Sequence, residues 1–273
     1  DGLGNDFVII DQRDHDYQLN QEQIIKICDR NFIGCDQLIF IKRKDQKNIK
    51  LEFYNSDGSI SGACGNGTRC VADLLSKKNN DKEIVLWTSS GPLKSKILGN
   101  NLVETEIGIP KTQWKEIPLS KDLNTKNLDI KILDKNNTEF IGGTAINVGN
   151  PHIVFFVKDI NEVDINKVGP LVENSSYFPK KVNVEICQII NKNKIKVTVW
   201  ERGAGKTLAC GTRACAALVA AYKNNLTDPT AEIVLNGGSL NIAWNVNSNE
   251  HVIMSGPIAV SFLGDFSTLG IEK

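Results

Sequence analysis

The stretch SGACGNGTRC, at residues 61–70, places a cysteine directly before a glycine-rich turn, and an apolar run follows it. The stretch TLACGTRACA, at residues 207–216, repeats this arrangement 146 residues later. Both belong to a longer repeat, because YNSDGSISGACGNGTRCVADLL from Tyr54 aligns without gaps on WERGAGKTLACGTRACAALVAA from Trp200. In each copy a predicted strand ends on an aromatic residue, a loop follows, and Ala-Cys-Gly opens a helix. The repeat predicts two similar halves rather than a solenoid, whose period is about 20–50 residues.

The rest of the chain is rich in short strand patterns and poor in helices. A further helix is predicted at residues 20–30, because Asn20 and Gln23 form a capping-box pattern. The mixed segment at residues 110–137 is the natural boundary between the halves. Together these patterns predict an α+β fold made by duplication. Runs of β-branched and aromatic residues predict strands at 7–10, 37–42, 49–54, 83–88, 152–157, 195–200 and 231–236.

Composition favours a small-molecule partner. The 273 residues carry 32 Lys and Arg against 32 Asp and Glu, so no net charge attracts nucleic acid or an anionic membrane. No apolar run approaches the roughly 18 residues of a membrane-spanning helix. A hydrophobic content of 41% is that of an ordinary globular chain.

The seven cysteines are expected to be thiols in a reducing compartment, which predicts a cytoplasmic protein. Their number is odd, and the chain is large enough to fold without disulfides. No metal site is predicted, since the sequence contains no C-x-x-C and its three histidines lie far apart. We expect Cys28 and Cys187 to be buried as small apolar residues. Cys70 and Cys215 lie beyond the motif cysteines on their helices, turned away from the motif face, and are expected in the core.

Cys64 and Cys210 are different because each stands at a predicted helix start. The unpaired N–H groups and the helix dipole there favour a thiolate and can also hold a carboxylate. The glycines that follow allow close approach of a ligand to the backbone. If the two halves face each other, one thiolate can remove a proton from a stereocentre while the other thiol delivers one to the opposite face. The duplicated motif therefore predicts inversion of a carbon next to a carboxylate.

The sequence resembles the diaminopimelate epimerases, cofactor-independent amino-acid epimerases of lysine and cell-wall precursor synthesis. The resemblance covers nearly the whole chain and rests on several motifs in the same order. They are GLGNDF at 2–7, DQL at 36–38, YNSDG at 54–58, ACGNGTRC at 63–70, GNPH at 149–152, VNVE at 182–185 and WERGAG…ACGTRACA at 200–216.

The resemblance implies a role for each matching residue. Cys64 and Cys210 match the catalytic cysteines, while His152 and Glu201 match residues that support the reacting centre. The implied reaction interconverts LL- and meso-2,6-diaminopimelate without a cofactor or metal, in a cytoplasmic homodimer. The substrate-binding set is Asn5, Gln37, Asn55, Gly65, Asn66, Asn150, Asn183, Glu201, Arg202, Gly211 and Thr212.

The resemblance also implies the arrangement of the fold. Each half is expected to be a curved, mostly antiparallel sheet wrapped around a central helix, with the active site between the halves. The N-terminal half is expected at residues 1–110, completed by about 256–273, and the C-terminal half at 111–255. Three positions depart from the family. Lys206 stands where Glu is frequent, and Cys35 stands where an aromatic residue is usual. Arg213 replaces the small residue usual after Cys-Gly-Thr and is expected close to the carboxylate pocket.

Two other functions remain as alternatives. The proline and hydroxyproline racemases resemble this fold and also use two cysteines, but the polar loops YNSDG and WERGAG favour a longer substrate with a polar far end. A thiol redox or anion-binding protein would use the two cysteines as a disulfide switch. The absence of C-x-x-C weighs against that reading.

Overall fold

The computed structural model describes residues 1–15, 18–62, 64–133, 135, 139–206, 211–247 and 251–264. The chain divides into two compact units. Unit 1 consists of Asp1–Glu106 and Gly256–Lys273, and unit 2 of Ile107–Ser255.

The helices begin where the local sequence supplies a start signal. At the first helix, Asn20 Oδ1 accepts from Gln23 N and Gln23 Oε1 accepts from Asn20 N, both at 2.9 Å, which confirms the predicted capping box. The second and fourth helices begin at the glycine of each Cys-Gly pair, as predicted. The helices are α1 Gln21–Cys28, α2 Gly65–Asn79, α3 Ile165–Glu173 and α4 Gly211–Lys223, with a 3₁₀ turn at Ile160–Glu162.

Unit 1 contains a mixed sheet in the order β1-β2-β3-β5-β6-β7, with the short β4 paired to β3. β1 is parallel to β2 and β3 is parallel to β5, whereas the other neighbours are antiparallel. The strands are β1 Phe7–Asp11, β2 Gln37–Arg43, β3 Ile49–Asn55, β4 Ile60–Ser61, β5 Glu83–Thr88, β6 Gly91–Gly99 and β7 Leu102–Gly108.

Unit 2 contains the order β10-β11-β12-β13-β15-β16-β17, with β14 paired to β13 and a separate hairpin of β8 and β9. β11 is parallel to β12 and β13 is parallel to β15, and the remaining pairs are antiparallel. The strands are β8 Ile130–Leu133, β9 Glu139–Gly142, β10 Thr144–Asn147, β11 Pro151–Val157, β12 Asn183–Asn191, β13 Lys194–Glu201, β14 Gly205–Lys206, β15 Thr230–Leu235, β16 Gly238–Trp244 and β17 Val252–Pro257.

The two units share one topology. From β1 and from β11 onward, the sequence of parallel and antiparallel neighbours is the same, and α2 and α4 follow the same strand and short hairpin. Each predicted strand is present, with bounds that differ by no more than a residue or two. The predicted α+β fold with two related halves is confirmed.

Strands such as β2, β11 and β12 are covered on both faces, so consecutive residues along them are buried. In β2, Leu38 and Phe40 pack with α1, whereas Ile39 and Ile41 pack with α2. In unit 2, α4 is buried almost all round and touches β10 to β13, β15 and β16. α3 and the segment after β7 cover the opposite face, where Ile117, Leu128 and Val168 share one core with Val184 and Ile186. The residues between β7 and β10 that the structure describes therefore belong to unit 2.

Candidate functional site

Cys64 is the N-cap residue of α2 and is half-buried. Its carbonyl accepts from Thr68 N at 2.9 Å, and its side chain does not cap the helix. The N–H groups of the first turn, beginning at Gly65, are therefore available beside the thiol. The equivalent Cys210 lies outside the described residues, but α4 begins at Gly211, directly after it.

Asn5 connects Cys64 to the rest of unit 1. Its Oδ1 lies 3.7 Å from Cys64 Sγ and accepts from Asn66 Nδ2 at 3.5 Å. Asn66 is almost fully buried, and its Oδ1 accepts from Arg69 Nη2 at 2.9 Å. Arg69 is itself buried and donates to the carbonyl of Pro257. The thiol thus stands at one end of a chain of amides that is anchored in the interior.

The other side of Asn5 is held by a carboxylate. Asn5 Nδ2 donates to Asp36 Oδ2 at 3.0 Å, and Arg30 links Asp36 to Asp6. Burial acts to raise the pKa of Asp6, but the hydrogen bonds from Arg30 and Asp36 and the charge of Arg30 together hold that pKa below its usual value. Asp6 and Asp36, joined through Arg30, fix the loop before β1.

Gln37 and Asn55 form a second amide pair in unit 1. Gln37 Nε2 donates to Asn55 Oδ1 at 2.9 Å, and Asn55 Nδ2 donates to Ser59 Oγ at 3.0 Å. These residues begin β2 and end β3, at a point where Phe7, Gln37 and Asn55 are cross-strand neighbours. Gln37 and Asn55 therefore lie at the same end of the sheet as the loop before β1, which contains Asn5.

In unit 2, His152 lies between two polar partners. Its Nδ1 is 2.8 Å from Glu185 Oε1, and its Nε2 is 2.7 Å from Asn150 Oδ1. His152 and Glu185 are fully buried, whereas Asn150 is partly exposed. The two contacts, one at each ring nitrogen, fix the orientation of the ring.

Asn183 is the centre of a second hydrogen-bonded cluster in unit 2. Its Nδ2 donates to the carbonyl of Pro151 at 2.9 Å, and its Oδ1 accepts from Arg202 N at 3.1 Å and from Arg213 Nη2 at 3.3 Å. Arg202 has an exposed side chain that donates to the carbonyl of Lys180. Asn183 thus ties the loop after β13 to the start of β11.

Arg213, expected close to the carboxylate pocket, stands in the first turn of α4, and its side chain turns into the interior. It is fully buried, and its Nη2 lies 2.9 Å from Glu201 Oε2. Its Nε lies 3.9 Å from Glu185 Oε1. Its neighbours Gly211 and Thr212 are buried and partly buried. The guanidinium therefore pairs with carboxylates of the protein itself.

The site residues occupy equivalent positions in the two units. Gln37 and Asn183 each begin the second strand, opposite Phe7 and His152 of a parallel neighbour. Counted from these partners, Asn5 and Asn150 stand two residues earlier in their loops. Asn55 and Glu201 each end the third strand. The starts of two parallel strands and the end of an antiparallel strand lie at the same end of the sheet. This explains why the residues cluster within each unit.

Sequence reasoning missed Asp36, Arg69 and Glu185. Glu185 carried a recognisable signal, because it stands at an inward-facing position of the strand NVEICQII, where an apolar residue is expected. Arg69 and Asp36 carried no such signal, since a charged residue in a helix or a loop is usually exposed.

The remaining cysteines lie apart from this network. Cys70, Cys187 and Cys215 are buried, as predicted. Cys28 is also buried, and its Sγ lies 3.4 Å from that of Cys35. The hydrogen bond with Cys28 and burial together raise the pKa of the Cys35 thiol.

In the part of the chain that the structure describes, no group of three or more His, Cys, Asp or Glu side chains is placed to hold a metal ion. Nor does that part contain a helix long and apolar enough to cross a membrane.

Solved structures with this fold include two epimerases of low sequence identity. A predicted epimerase from Pseudomonas aeruginosa superposes with a TM-score of 0.64 at 12% identity, over 97% of this chain and 98% of that one. A hydroxyproline epimerase from Agrobacterium vitis, with bound trans-4-hydroxy-L-proline, superposes with a TM-score of 0.57 at 13% identity, over 86% of this chain and 77% of that one. At these identities the likeness establishes the fold alone.

Sequence relatives are much closer. The diaminopimelate epimerase of Pelagibacter ubique (strain HTCC1062) is 63% identical over 259 residues, which cover 95% of this chain and 94% of the relative. That of Acidiphilium cryptum (strain JF-5) is 41% identical, over 97% and 93% of the two chains. The sequence profile of the diaminopimelate epimerase family matches residues 1–112 and 144–260. The chain belongs to the diaminopimelate epimerase family, whose members are isomerases.

Proposed function

We propose that this chain interconverts LL- and meso-2,6-diaminopimelate with two cysteines, in lysine and peptidoglycan precursor synthesis. The observation that carries the proposal is the duplicated arrangement. Cys64 stands at the N-cap of α2 beside Asn5, and Cys210 directly precedes Gly211, the first residue of α4. A stereocentre can be inverted only if a proton leaves one face and another arrives at the opposite face, so two equivalent thiols suit the reaction.

The proton balance needs no further reagent. The thiolate of one cysteine takes the α-proton and becomes a thiol, and the thiol of the other gives its proton to the carbanion and becomes a thiolate. The reverse reaction exchanges their roles. Because thiol and thiolate carry both transfers, the proposed mechanism uses no cofactor and no metal.

The helix starts are suited to binding the α-carboxylate of the substrate. The N–H groups at Gly65 and at Gly211 and Thr212 are suited to the α-carboxylate, because they carry the positive end of each helix dipole. Negative charge that develops next to this carboxylate is stabilised by the same groups. The amide-bearing residues are suited to the far end of a zwitterionic diamino diacid, since amides both donate and accept. Glu201 and Arg202 complete that proposed set, and Arg202 has the exposed guanidinium needed to pair with a carboxylate.

The relatives favour this substrate over proline or hydroxyproline. The solved hydroxyproline epimerase is only 13% identical to this chain, whereas the diaminopimelate epimerases reach 63%. The polar loops after β3 and β13 support the same choice, because a small cyclic substrate has no far end for them to bind.

We also place the protein in the cytoplasm as a homodimer. The compartment is supported by the thiols of Cys28, Cys35, Cys70 and Cys187, which are not in disulfides. The dimer rests on the resemblance to the family. Size-exclusion chromatography with light scattering tests it, and a monomer at working concentration would contradict it.

The two-cysteine proposal is tested by comparing Cys64→Ser and Cys210→Ser in deuterated water. We expect each variant to lose most epimerisation of LL-diaminopimelate, because a serine hydroxyl is a far weaker acid than a thiol. Each should still eliminate a leaving group from the β-carbon of one stereoisomer of a substrate analogue, and the two variants should prefer opposite isomers. Elimination needs only the base, whereas epimerisation needs both groups.

Cys70→Ser is the matched control, since Cys70 is buried on the same helix as Cys64. It should lower stability and leave the stereochemical pattern intact. Near-parental epimerisation by either Cys64→Ser or Cys210→Ser would refute the mechanism.

A further inference from the structure

The two units fill an equivalent position, between the second strand and the helix start, with different kinds of side chain. Gly67 is the third residue of α2, and Arg213 is the third residue of α4. The strand residues that face these positions also correspond. Ile39 and Glu185 are each the third residue of the second strand, and their antiparallel partners are Phe53 and Val199.

In unit 1 this position is apolar and tightly filled. A Cβ on Gly67 would lie 2.6 Å from Ile39 Cδ1, 3.1 Å from a Phe53 ring atom and 3.3 Å from a Phe7 ring atom. Ile39 and Phe53 are fully buried. The fold is thus compatible with an entirely apolar cluster between the second strand and the helix start.

In unit 2 the corresponding residues are polar or charged. Arg213 replaces glycine, Glu185 replaces isoleucine and His152 replaces phenylalanine, and all three side chains are fully buried. They form one continuous chain of contacts. Arg213 Nη2 lies 2.9 Å from Glu201, Arg213 Nε lies 3.9 Å from Glu185, and Glu185 lies 2.8 Å from His152. The chain ends at Asn150, 2.7 Å from His152.

Stability alone does not explain this chain of charges. Removing ions from water is expensive, and replacing a buried ion pair by well-packed apolar groups is often neutral or stabilising. Unit 1 contains that apolar alternative in the same fold. The two ends of the chain indicate another purpose, because Glu201 has a side chain 36% exposed and Asn150 is partly exposed. Both ends are residues that the proposed function places at the substrate.

We infer that Glu185 and Arg213 are positioning residues for epimerisation, which hold His152 and Glu201 in the geometry that proton transfer requires. The inference rests on the proposed function. Arg213 binds the Glu201 carboxylate and so limits its rotamers. Glu185 accepts from His152 Nδ1 and so directs Nε2 toward Asn150. Since a displacement of about 1 Å can cost on the order of 100-fold in rate, supports of this kind act on the chemical step.

The decisive variant carries, at two positions of unit 2, the residues that stand at the equivalent positions of unit 1. Glu185→Ile with Arg213→Gly introduces the residue pair found in unit 1 and removes both side chains together, so neither Glu185 nor Arg213 is left buried without the other, while His152 and Glu201 lose their supports. We expect the double variant to fold, with a circular dichroism spectrum like that of the parent. Its kcat for diaminopimelate epimerisation should fall by about 10- to 100-fold in both directions, with a much smaller change in KM.

A spectroscopic measurement separates positioning from packing. The chain has three histidines, so ¹⁵N-histidine NMR can resolve His152. The parent should show a strongly hydrogen-bonded Nδ1 proton, and Glu185→Ile should lose it. Cys187→Ala is the matched control, because Cys187 is buried two residues further along the same strand face. It should keep both the signal and the parental kcat.

The outcomes separate the positioning role from the proposed function. A folded double variant with parental kcat would overturn the positioning role while the proposed function stands. A parent that does not epimerise diaminopimelate would overturn the proposed function and this inference with it. If the double variant does not fold, the isosteric Glu185→Gln carries the test. A lowered kcat at unchanged stability supports the inference, and a parental kcat overturns it.

Discussion

Glu173 shows how one buried carboxylate can organise a loop of unit 2. It is the last residue of α3 and is almost fully buried. Its Oε2 accepts from Trp200 Nε1 at 2.7 Å, and its Oε1 accepts from Gly203 N at 3.1 Å and lies 3.5 Å from Lys181 Nζ. These contacts hold both sides of Glu201 and Arg202, so Glu173 supports the site without belonging to it.

The protonation of Glu173 gives a pH-dependent prediction. Burial acts to raise the pKa of Glu173, but the hydrogen bonds from Trp200 and Gly203 and the neighbouring Lys181 hold it below its usual value. A depressed pKa in the folded state stabilises the fold above the unfolded value of about 4.3, and this contribution is lost as the pH falls through the folded pKa. At pH 7 we expect Glu173→Gln to lower the free energy of unfolding by about 1–2 kcal/mol.

Urea unfolding at neutral and acidic pH measures the effect. The difference between parent and Glu173→Gln should shrink below about pH 4. Glu162→Gln, at an exposed position before α3, should change little at either pH. A difference that persists undiminished in acid would show that the charge of Glu173 is not what stabilises the loop.

At the scale of elements, the first helix of each unit packs against the end of the third strand or the loop that follows it. In unit 1, Gln21 of α1 donates to the carbonyl of Asp57, and a Cβ on Gly58 would lie 2.5 Å from Gln21 Cγ. In unit 2, a Cβ on Gly169 of α3 would lie 2.3 Å from Trp200 Cγ. In both units a glycine permits the close approach, and the adjacent site loop takes its position from the helix.

Gly169→Ala is therefore expected to displace Trp200 and destabilise unit 2. Such overpacking costs about 1–3 kcal/mol, and here the neighbour is a rigid ring. The displacement should also lower kcat, because Glu201 follows Trp200 directly. Thermal unfolding and steady-state kinetics measure both effects. Leu171→Ala, on the same helix with a side chain 75% exposed, should leave both unchanged. Parental stability in Gly169→Ala would contradict the contact.

At the scale of the whole molecule, unit 1 is completed by a segment distant in sequence. Ile258 is buried in the α2 core, and its N–H donates to the carbonyl of Asn101. Arg69 donates to the carbonyl of Pro257, and Ala259 N donates to the carbonyl of Asp1. The segment at 256–264 therefore connects the loop before β1, the central helix and the β6–β7 turn.

Ile258→Ala should weaken unit 1 more than unit 2. Loss of a buried isoleucine costs about 2–5 kcal/mol, and the cavity would lie in the core of α2. Hydrogen exchange should accelerate in β1, β3 and α2 before it does in β11 to β13. Val260→Ala, with a side chain 57% exposed, is the matched control. Equal acceleration in both units would show that they unfold as one body.

Much of the local structure could be predicted from the sequence. The capping box before α1 and the Cys-Gly starts of α2 and α4 are short-range signals, and they decided those helix starts correctly. Strands such as β2 and β11 are dense in apolar β-formers because both of their faces are covered. β6 and β16 were missed, since one of their faces is exposed and carries polar residues. α3 was missed because its Gly169 and Pro170 read as loop residues.

The sequence by itself determined the duplication and the family, and it supplied the polar residues proposed for the site, since these depend on residue identity and order. Only the tertiary structure decided how those residues are used. Glu185 and Arg213 lie far apart along the chain, and nothing local predicts that they meet in the interior. Their contact depends on the register of β12 against β11 and β13 and on the packing of α4, which places a helix residue over a strand residue. Buried charges are matched in space, so the partner of each could be read only from the fold.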